Sequence, residues 1–302
     1  MSSAVASAGP ESTGVESLYD LPQVYDAAFG LRDFEAETHF LLERCKIQTP
    51  RSWLELACGP GRHTRCAAFD HGVTVAVGLD LSDAMVHYAQ EQSVLDAQEQ
   101  GSTASALPLF IQGDMCTAAS DARVAQAGPY DVICLLLGSL SHLTHLKDAA
   151  QLFSSTRALL SPGGVFVLEL NHPAHLFDGR VTQAARSNSS GDVEVPGWTA
   201  HDAVTGRPCD VLWGAPGDAF DPVHQLLRRT VQVHVHEPEL FHRSVVPTRL
   251  YTAGEVELLA TGAGLRIAAV YGDLDVAVAA NDPHAERLVV VLTHARTDDS
   301  SR

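Results

Sequence analysis

A chain of 302 residues with an apolar fraction of 45% can bury a full core, and its length allows one large domain or two small ones. A net charge of −17 with only 20 lysines and arginines leaves no cationic footprint for a phosphate backbone. That balance argues against nucleic acid or an anionic membrane surface and toward a neutral or cationic small molecule as partner.

Residues 1–17 are rich in Ala and Ser, have almost nothing to bury, and are expected to form a disordered tail. They lack both the apolar core of a signal peptide and the arginines of a transit peptide. Six cysteines, at 45, 58, 66, 116, 134 and 209, form no Cys-x-x-Cys pair, and no apolar run is long enough to span a membrane. A reducing, cytoplasmic setting is expected. From Leu18 to about residue 48, Tyr19, Val24, Tyr25, Phe29, Phe34 and Phe40 alternate with acids, which predicts short helices packing across the rim of the domain.

Leu54-Glu-Leu-Ala-Cys-Gly-Pro-Gly-Arg-His-Thr64 then joins a short apolar strand to a glycine-broken turn and a helix start. Gly59 and Gly61 permit positive φ and let the backbone approach a ligand closely. The spacing is not the dinucleotide fingerprint Gly-x-Gly-x-x-Gly, because Thr64 stands where the third glycine belongs, so a pyrophosphate is not the expected guest. Val73 to Asp80 predicts a buried strand ending in a carboxylate, placed to accept hydrogen bonds from both hydroxyls of a ribose. Ser82 is a suitable N-cap for a helix over 83–97. Leu107 to Asp114 adds another strand-end acid.

A helix over 149–160, a sharp stop at Ser161-Pro-Gly-Gly164 and a strand over 165–170 follow. Short alternating runs at 208–213, 228–236 and 240–246 then predict an antiparallel cap. Thr252-Ala-Gly-Glu255 is a capping box, and 265–271 and 287–293 supply the last two strands. The expected fold is α/β: a doubly wound, seven-stranded, mostly parallel sheet with a small antiparallel β cap inserted after strand 5. The expected division is one domain over 18–302, in which residues 171–250 form the cap.

Taken in order, these stretches resemble the class I S-adenosylmethionine-dependent methyltransferases. Leu54 to Thr64 is similar to their first motif, Gly78 to Met85 to the second, Gln112 to Met115 to the third, Tyr130 to Leu143 to the fourth, and Leu160 to Glu169 to the approach to the fifth strand. The match covers about residues 35–171 and resumes near 250. It implies S-adenosyl-L-methionine as cofactor, held by Glu55, Ala57, Gly59, Gly61, Asp80, Leu81, Met85, Gly113, Asp114, Met115 and Leu136. It also implies that residues 18–48 act as a lid, with Tyr25 and Arg32 as candidates for the methionyl carboxylate. A helix contact for Tyr25, a solvated Arg32 and a core-filling Met85 are the plainer alternatives. Ala57 departs from the glycine of many members, and the fourth motif lacks Asn/Asp-Pro-Pro-Tyr, which argues against exocyclic or amide nitrogen acceptors.

Methyl transfer from a sulfonium is an in-line displacement in which positioning and desolvation supply most of the rate. Where a proton must leave the acceptor, His142 after the fourth strand and His172 after the fifth are the candidate bases; a loop imidazole bonded to backbone is the alternative for each. Cys58 has no base beside it and reads as a small core residue. His234-Val-His236 alternates with valines onto a polar face, and no metal is expected there. The expected activity is methyl transfer to a small-molecule acceptor, nitrogen ahead of oxygen. The alternatives are a noncatalytic cofactor-binding module on the same fold and a nicotinamide oxidoreductase, the latter disfavoured by Thr64.

Overall fold

Apolar runs broken by glycine and polar turns become the strands. The computed structural model describes residues 17–101, 107–174, 186–187, 193–194, 197–201, 206–216, 218–236 and 240–295; the expected tail at 1–17 lies outside them except for Ser17. The first strands are β1 (Ser52–Leu56), β2 (Val75–Asp80), β3 (Leu109–Gln112), β4 (Tyr130–Leu135) and β5 (Leu160–Asn171). Strands β6 (Arg186–Ser187), β7 (Val193–Glu194), β8 (Gly197–His201), β9 (Pro208–Trp213), β10 (Ala219–Asp221), β11 (Leu226–Val235) and β12 (Leu240–Arg249) lie in the insertion, and β13 (Leu265–Tyr271) and β14 (Arg287–His294) close the chain. The helices are α1 (Pro22–Phe29), α2 (Phe34–Arg44), α3 (Arg62–Phe69), α4 (Asp83–Glu99), α5 (Ala122–Ala127), α6 (Leu146–Leu159) and α7 (Ala253–Gly262).

The main sheet has the order β13-β14-β5-β4-β1-β2-β3. The five strands from β5 to β3 are parallel, and β14 runs antiparallel to both neighbours. Strand order reverses beside β1, and in open α/β sheets the ligand crevice lies at that reversal, beyond the carboxyl ends of the strands. Both faces are buried, as a parallel sheet requires. Val132 and Cys134 of β4 pack with Val165 and Val167 of β5 and Trp53 on one side. Ile133, Leu135, Phe166 and Leu168 pack on the other.

Local chemistry sets most helix starts. The Ser82 side chain accepts from the backbone N–H of Met85 at the head of α4, and Thr252 and Glu255 form the expected capping box at α7. Ser161 to Gly164 departs from the expectation of a stop between helix and strand. β5 begins at Leu160, and these residues bulge within it, the register jumping from Tyr130↔Leu160 to Val132↔Val165. A Cβ at Gly164 would stand 2.8 Å from the carbonyl oxygens of Tyr130 and Asp131, which is why glycine holds the bulge.

The inserted strands form an antiparallel cap with β11 as its spine, paired with β12 on one edge and with β9 and β10 on the other. The cap and the N-terminal segment share one core. Leu18, Val24, Ala27 and Ala28 cluster with Cys209, Val211, Val231 and Val233, and Trp198 Nε1 donates to the carbonyl of Ala28 at 2.9 Å. α1 is also tied to the main domain. Arg62 donates to both oxygens of Asp26 at 2.5 and 2.7 Å, and the Tyr88 hydroxyl donates to the same carboxylate at 3.0 Å.

Candidate active site

The glycine loop leaves β1 through a run of left-handed backbone: Ala57 has φ 52°, Gly59 φ 51° and Gly61 φ 72°. Ala57 therefore takes up a conformation that glycine adopts without strain, which gives a physical reason for glycine at this place in related chains. Gly61 is required sterically as well, since a Cβ there would stand 2.4 Å from Phe110 Cε1 and 3.1 Å from Ala89 Cβ. Its work is to seat α3 against β3 and α4.

Asp80, at the tip of β2, accepts from the Gly59 N–H at 2.7 Å through Oδ2 and from the Ser82 N–H at 2.9 Å through Oδ1. Burial raises its pKa against the opposing pull of those backbone donors. The Ser82 hydroxyl donates to the Tyr19 carbonyl at 2.7 Å, so the strand tip is joined directly to the N-terminal segment.

Beyond the strand ends lies a cavity of about 1110 Å³. Nine of the residues expected at the cofactor line it: Tyr25, Ala57, Gly59, Asp80, Leu81, Met85, Gly113, Asp114 and Met115. His142 lines it too, in a 3-10 turn over Ser139–His142 that follows positive φ at Leu137 and Gly138. The His142 ring faces the void, and the protein packed around it lowers its pKa, which keeps the imidazole neutral at physiological pH. Its Nε2 lies 3.2 Å from Tyr19 Oη. The far wall comes from the cap: Trp213, Leu227, Arg229, Val231 and Val246. Tyr19, Tyr25 and Phe29 bridge the two ends as an aromatic series, with centroid separations of 5.8 Å for Tyr19–Tyr25, 4.8 Å for Tyr25–Phe29 and 5.9 Å for Phe29–Trp213.

Five expected site residues do not line this cavity, although Glu55 and Leu136 line a small neighbouring pocket that shares Tyr25, Ala57, Gly59 and Leu137 with it. Arg32 is locked by two carboxylates, with NH1 and NH2 on Glu169 at 2.9 and 2.8 Å and Nε on Glu37 at 2.8 Å, and it does not reach the cavity. Glu55 is buried and turns to the head of α3, where Oε2 accepts from Thr64 N at 3.0 Å and Thr64 Oγ1 at 2.6 Å. Gly61 acts in packing, as above. Leu136 is 2% exposed and belongs to the sheet core; Leu137, one residue on, lines the cavity. His172 is likewise one residue past Asn171, which faces the cavity, and the alternation of a strand turns it away. Its Nε2 lies 2.8 Å from the Ala280 carbonyl and its Nδ1 accepts from Ala174 N at 3.3 Å, so this imidazole is a backbone tie.

Residues 54–164 match a family model described as a methyltransferase domain. The fold resembles that of an S-adenosylmethionine-dependent methyltransferase from Clostridium acetobutylicum at a TM-score of 0.67, with 17% identity over 92% of this chain and 99% of that one. Residues 54–164 of this chain are a methyltransferase domain. A curated relative, a dTDP-4-amino-2,3,4,6-tetradeoxy-D-glucose N,N-dimethyltransferase from Saccharopolyspora spinosa, is 28% identical over 194 residues, 62% of this chain and 68% of the relative. The amino pentose methyltransferase CalS10 from Micromonospora echinaspora, solved with the cofactor bound, superposes at a TM-score of 0.59 with 16% identity over 95% of this chain and all of that one.

Several wall residues of this methyltransferase were not singled out as site residues from sequence: Tyr19, Phe29, Leu137, Trp213 and Arg229. Tyr19 and Phe29 are visible as part of an aromatic series. The alternation of Val231, Val233 and Val235 marks the inward face of β11, but nothing in the sequence marks that face as a wall of the cavity. Cys58 is the core residue expected, and burial pushes its thiol well up.

Proposed function

We propose that this methyltransferase moves the methyl group of S-adenosylmethionine to the amino nitrogen of a small acceptor, an amino sugar on an anionic carrier, seated under the cap. The observation that carries the reading is the continuity of one cavity from Gly59 and Asp80 at the sheet to Trp213 and Arg229 at the cap. At about 1110 Å³ it exceeds the roughly 300–1,000 Å³ of a single small-molecule site, which leaves room for a cofactor and an acceptor together. Asp80 would take the ribose hydroxyls, Met85 the purine face and the aromatic wall the sulfonium, a cation that π faces attract.

Residues 18–48 serve as the lid and residues 171–250 as the acceptor cap. The carboxylates Asp20, Asp114, Asp148 and Glu286 on the cavity wall suit the amino group, and Arg229, the one Arg or Lys among the described cavity-lining residues, is the side chain that would meet an anionic carrier such as the nucleotide diphosphate in the name of the Saccharopolyspora spinosa enzyme's substrate. An amine attacks only when neutral, and the product ammonium must lose a proton; the neutral imidazole of His142, beside Tyr19 Oη, is the group placed to take it. Scattered, buried cysteines and the charge of −17 support a cytoplasmic protein that binds neither nucleic acid nor membrane, and among the described residues no helix is long and apolar enough to cross a membrane.

The test is incubation with methyl-labelled cofactor and matched acceptors: nucleotide-linked amino sugars, the free amino sugars, and their hydroxyl analogues. Label should appear on nitrogen of the nucleotide-linked amines and not on the hydroxyl analogues. Cofactor binding with no product across the panel would instead favour the noncatalytic module.

A further inference from the structure

The outer face of the cap gathers three metal-ligating side chains that methyl transfer does not use. His234 and His236 are two residues apart, and the period of a strand places them on one face. Asp210 of β9 is the direct cross-strand partner of His234. His236 Nε2 lies 2.7 Å from Asp210 Oδ2, the two imidazole centroids are 4.4 Å apart, and one ligand atom from each residue lies within 4.8 Å of the other two. Among the described residues this is the one such group of His, Cys, Asp and Glu donors. The other carboxylate oxygen, Oδ1, accepts from Thr199 Oγ1 on β8 at 2.7 Å, so a neighbouring strand fixes the orientation of the carboxylate from behind, as the outer partners of metal ligands do.

We propose that Asp210, His234 and His236 bind a divalent transition-metal ion of the zinc, nickel or copper type, with water completing the shell. Two imidazoles and a carboxylate are the donor set such ions prefer over magnesium or calcium. His236 and Asp210 are 39% and 44% exposed, so their side chains can turn from the present mutual contact to metal–ligand distances of about 2.0–2.2 Å. The position defines the role. Val211, Val231 and Val233 emerge on the opposite face and pack against α1, so an ion here would clamp β9 to β11 behind the cap wall and take no part in the chemistry.

The experiment uses the full chain without a histidine tag, stripped with chelator, titrated with zinc chloride by calorimetry and followed in thermal unfolding. The expected result is one zinc per chain, a higher Tm with zinc, and loss of both in the His234→Ala/His236→Ala chain. That variant should keep its circular dichroism and its affinity for S-adenosylmethionine. Thr199→Val should weaken zinc binding by roughly 10–100-fold through the unfastened carboxylate. Equal zinc binding by the wild type and the double variant, or a Tm that zinc does not move, would overturn the proposal. Should the double variant misfold, histidine modification mapped by mass spectrometry on the wild type decides instead: zinc must protect His234 and His236, and protection confined to other histidines overturns it.

Discussion

His63 offers the sharpest energetic test of how the cofactor loop is held. Its ring is 1% exposed and lies between two carboxylates, with Nε2 2.8 Å from Glu37 Oε2 and Nδ1 3.2 Å from Glu55 Oε1. Burial works to lower its pKa, but the bonds to Glu37 and Glu55 outweigh burial and raise it from 6.5 to about 9. At about 1.4 kcal/mol per pH unit this corresponds to roughly 3 kcal/mol of stability. Glu37, held down at about 2 against its own burial by His63 and Arg32, reports the same ion pair from the other side, so the two contributions are not added. The folded chain binds the His63 proton more tightly than the unfolded one. The contribution is therefore complete below pH 6.5 and lost as pH rises through about 9, while the Glu37 contribution is complete above pH 4.5 and lost as pH falls toward 2. His63→Gln leaves Glu37 and Glu55 facing each other across a neutral amide, so at pH 6 the variant should be less stable by roughly 3 kcal/mol. Near pH 10 the wild-type imidazole is neutral as well, and the difference should shrink toward zero. Urea unfolding followed by tryptophan fluorescence at pH 6, 8 and 10 measures this directly. A gap of the same size at pH 6 and pH 10 would mean that shape, not charge, makes His63 matter, and the account of the sandwich would fail.

Asp80→Ala should weaken S-adenosylmethionine binding by roughly 1.5–3 kcal/mol in calorimetry, and because the carboxylate also holds the N–H groups of Gly59 and Ser82, thermal stability should fall with it. Unchanged affinity would remove Asp80 from the site. Gly61→Ala must accept a left-handed backbone, about 1–2 kcal/mol, and an overlap with Phe110, about 1–3 kcal/mol, so denaturant unfolding should show both losses and Phe110→Leu should restore the second. His142→Gln should lower turnover by roughly 10²–10⁴ with cofactor affinity intact, the deficit narrowing at high pH where more acceptor amine is already neutral. His172→Gln should keep near wild-type turnover, and a large loss there would restore the expectation made from sequence.

The sequence was most legible where one residue type answers one backbone demand. Gly59 before a cavity, Asp80 at a strand tip and Ser82 at a helix head each follow from φ, period or an orphan N–H, and the end of β2 and the start of α4 follow with them. It was least legible where facing decides the role. Leu136 and His172 each miss the cavity by one position, because a strand or turn reverses its side chains at every step. Arg32 has the charge to meet a carboxylate, but nothing in its neighbourhood of sequence announces that Glu169, far along the chain, claims it. Glu55 carries the same lesson in reverse: its partners Thr64 and His63 are close in sequence, yet a strand-end acid beside a glycine turn reads equally as a ligand contact.

The joint core of α1 and the cap bears on how acceptor range could be changed by recombination. Cofactor sheets of this kind invite exchange of the insertion after the fifth strand, since its ends meet on one rim. In this chain such an exchange would set foreign side chains against Leu18, Val24 and Ala27, and would remove the indole that holds the Ala28 carbonyl. Tyr25 and Phe29, which ride on the same helix and line the cavity, would lose their registry with Trp213. The transferable piece is discontinuous: residues 18–29 travel with residues 197–249, as a plug travels with its socket.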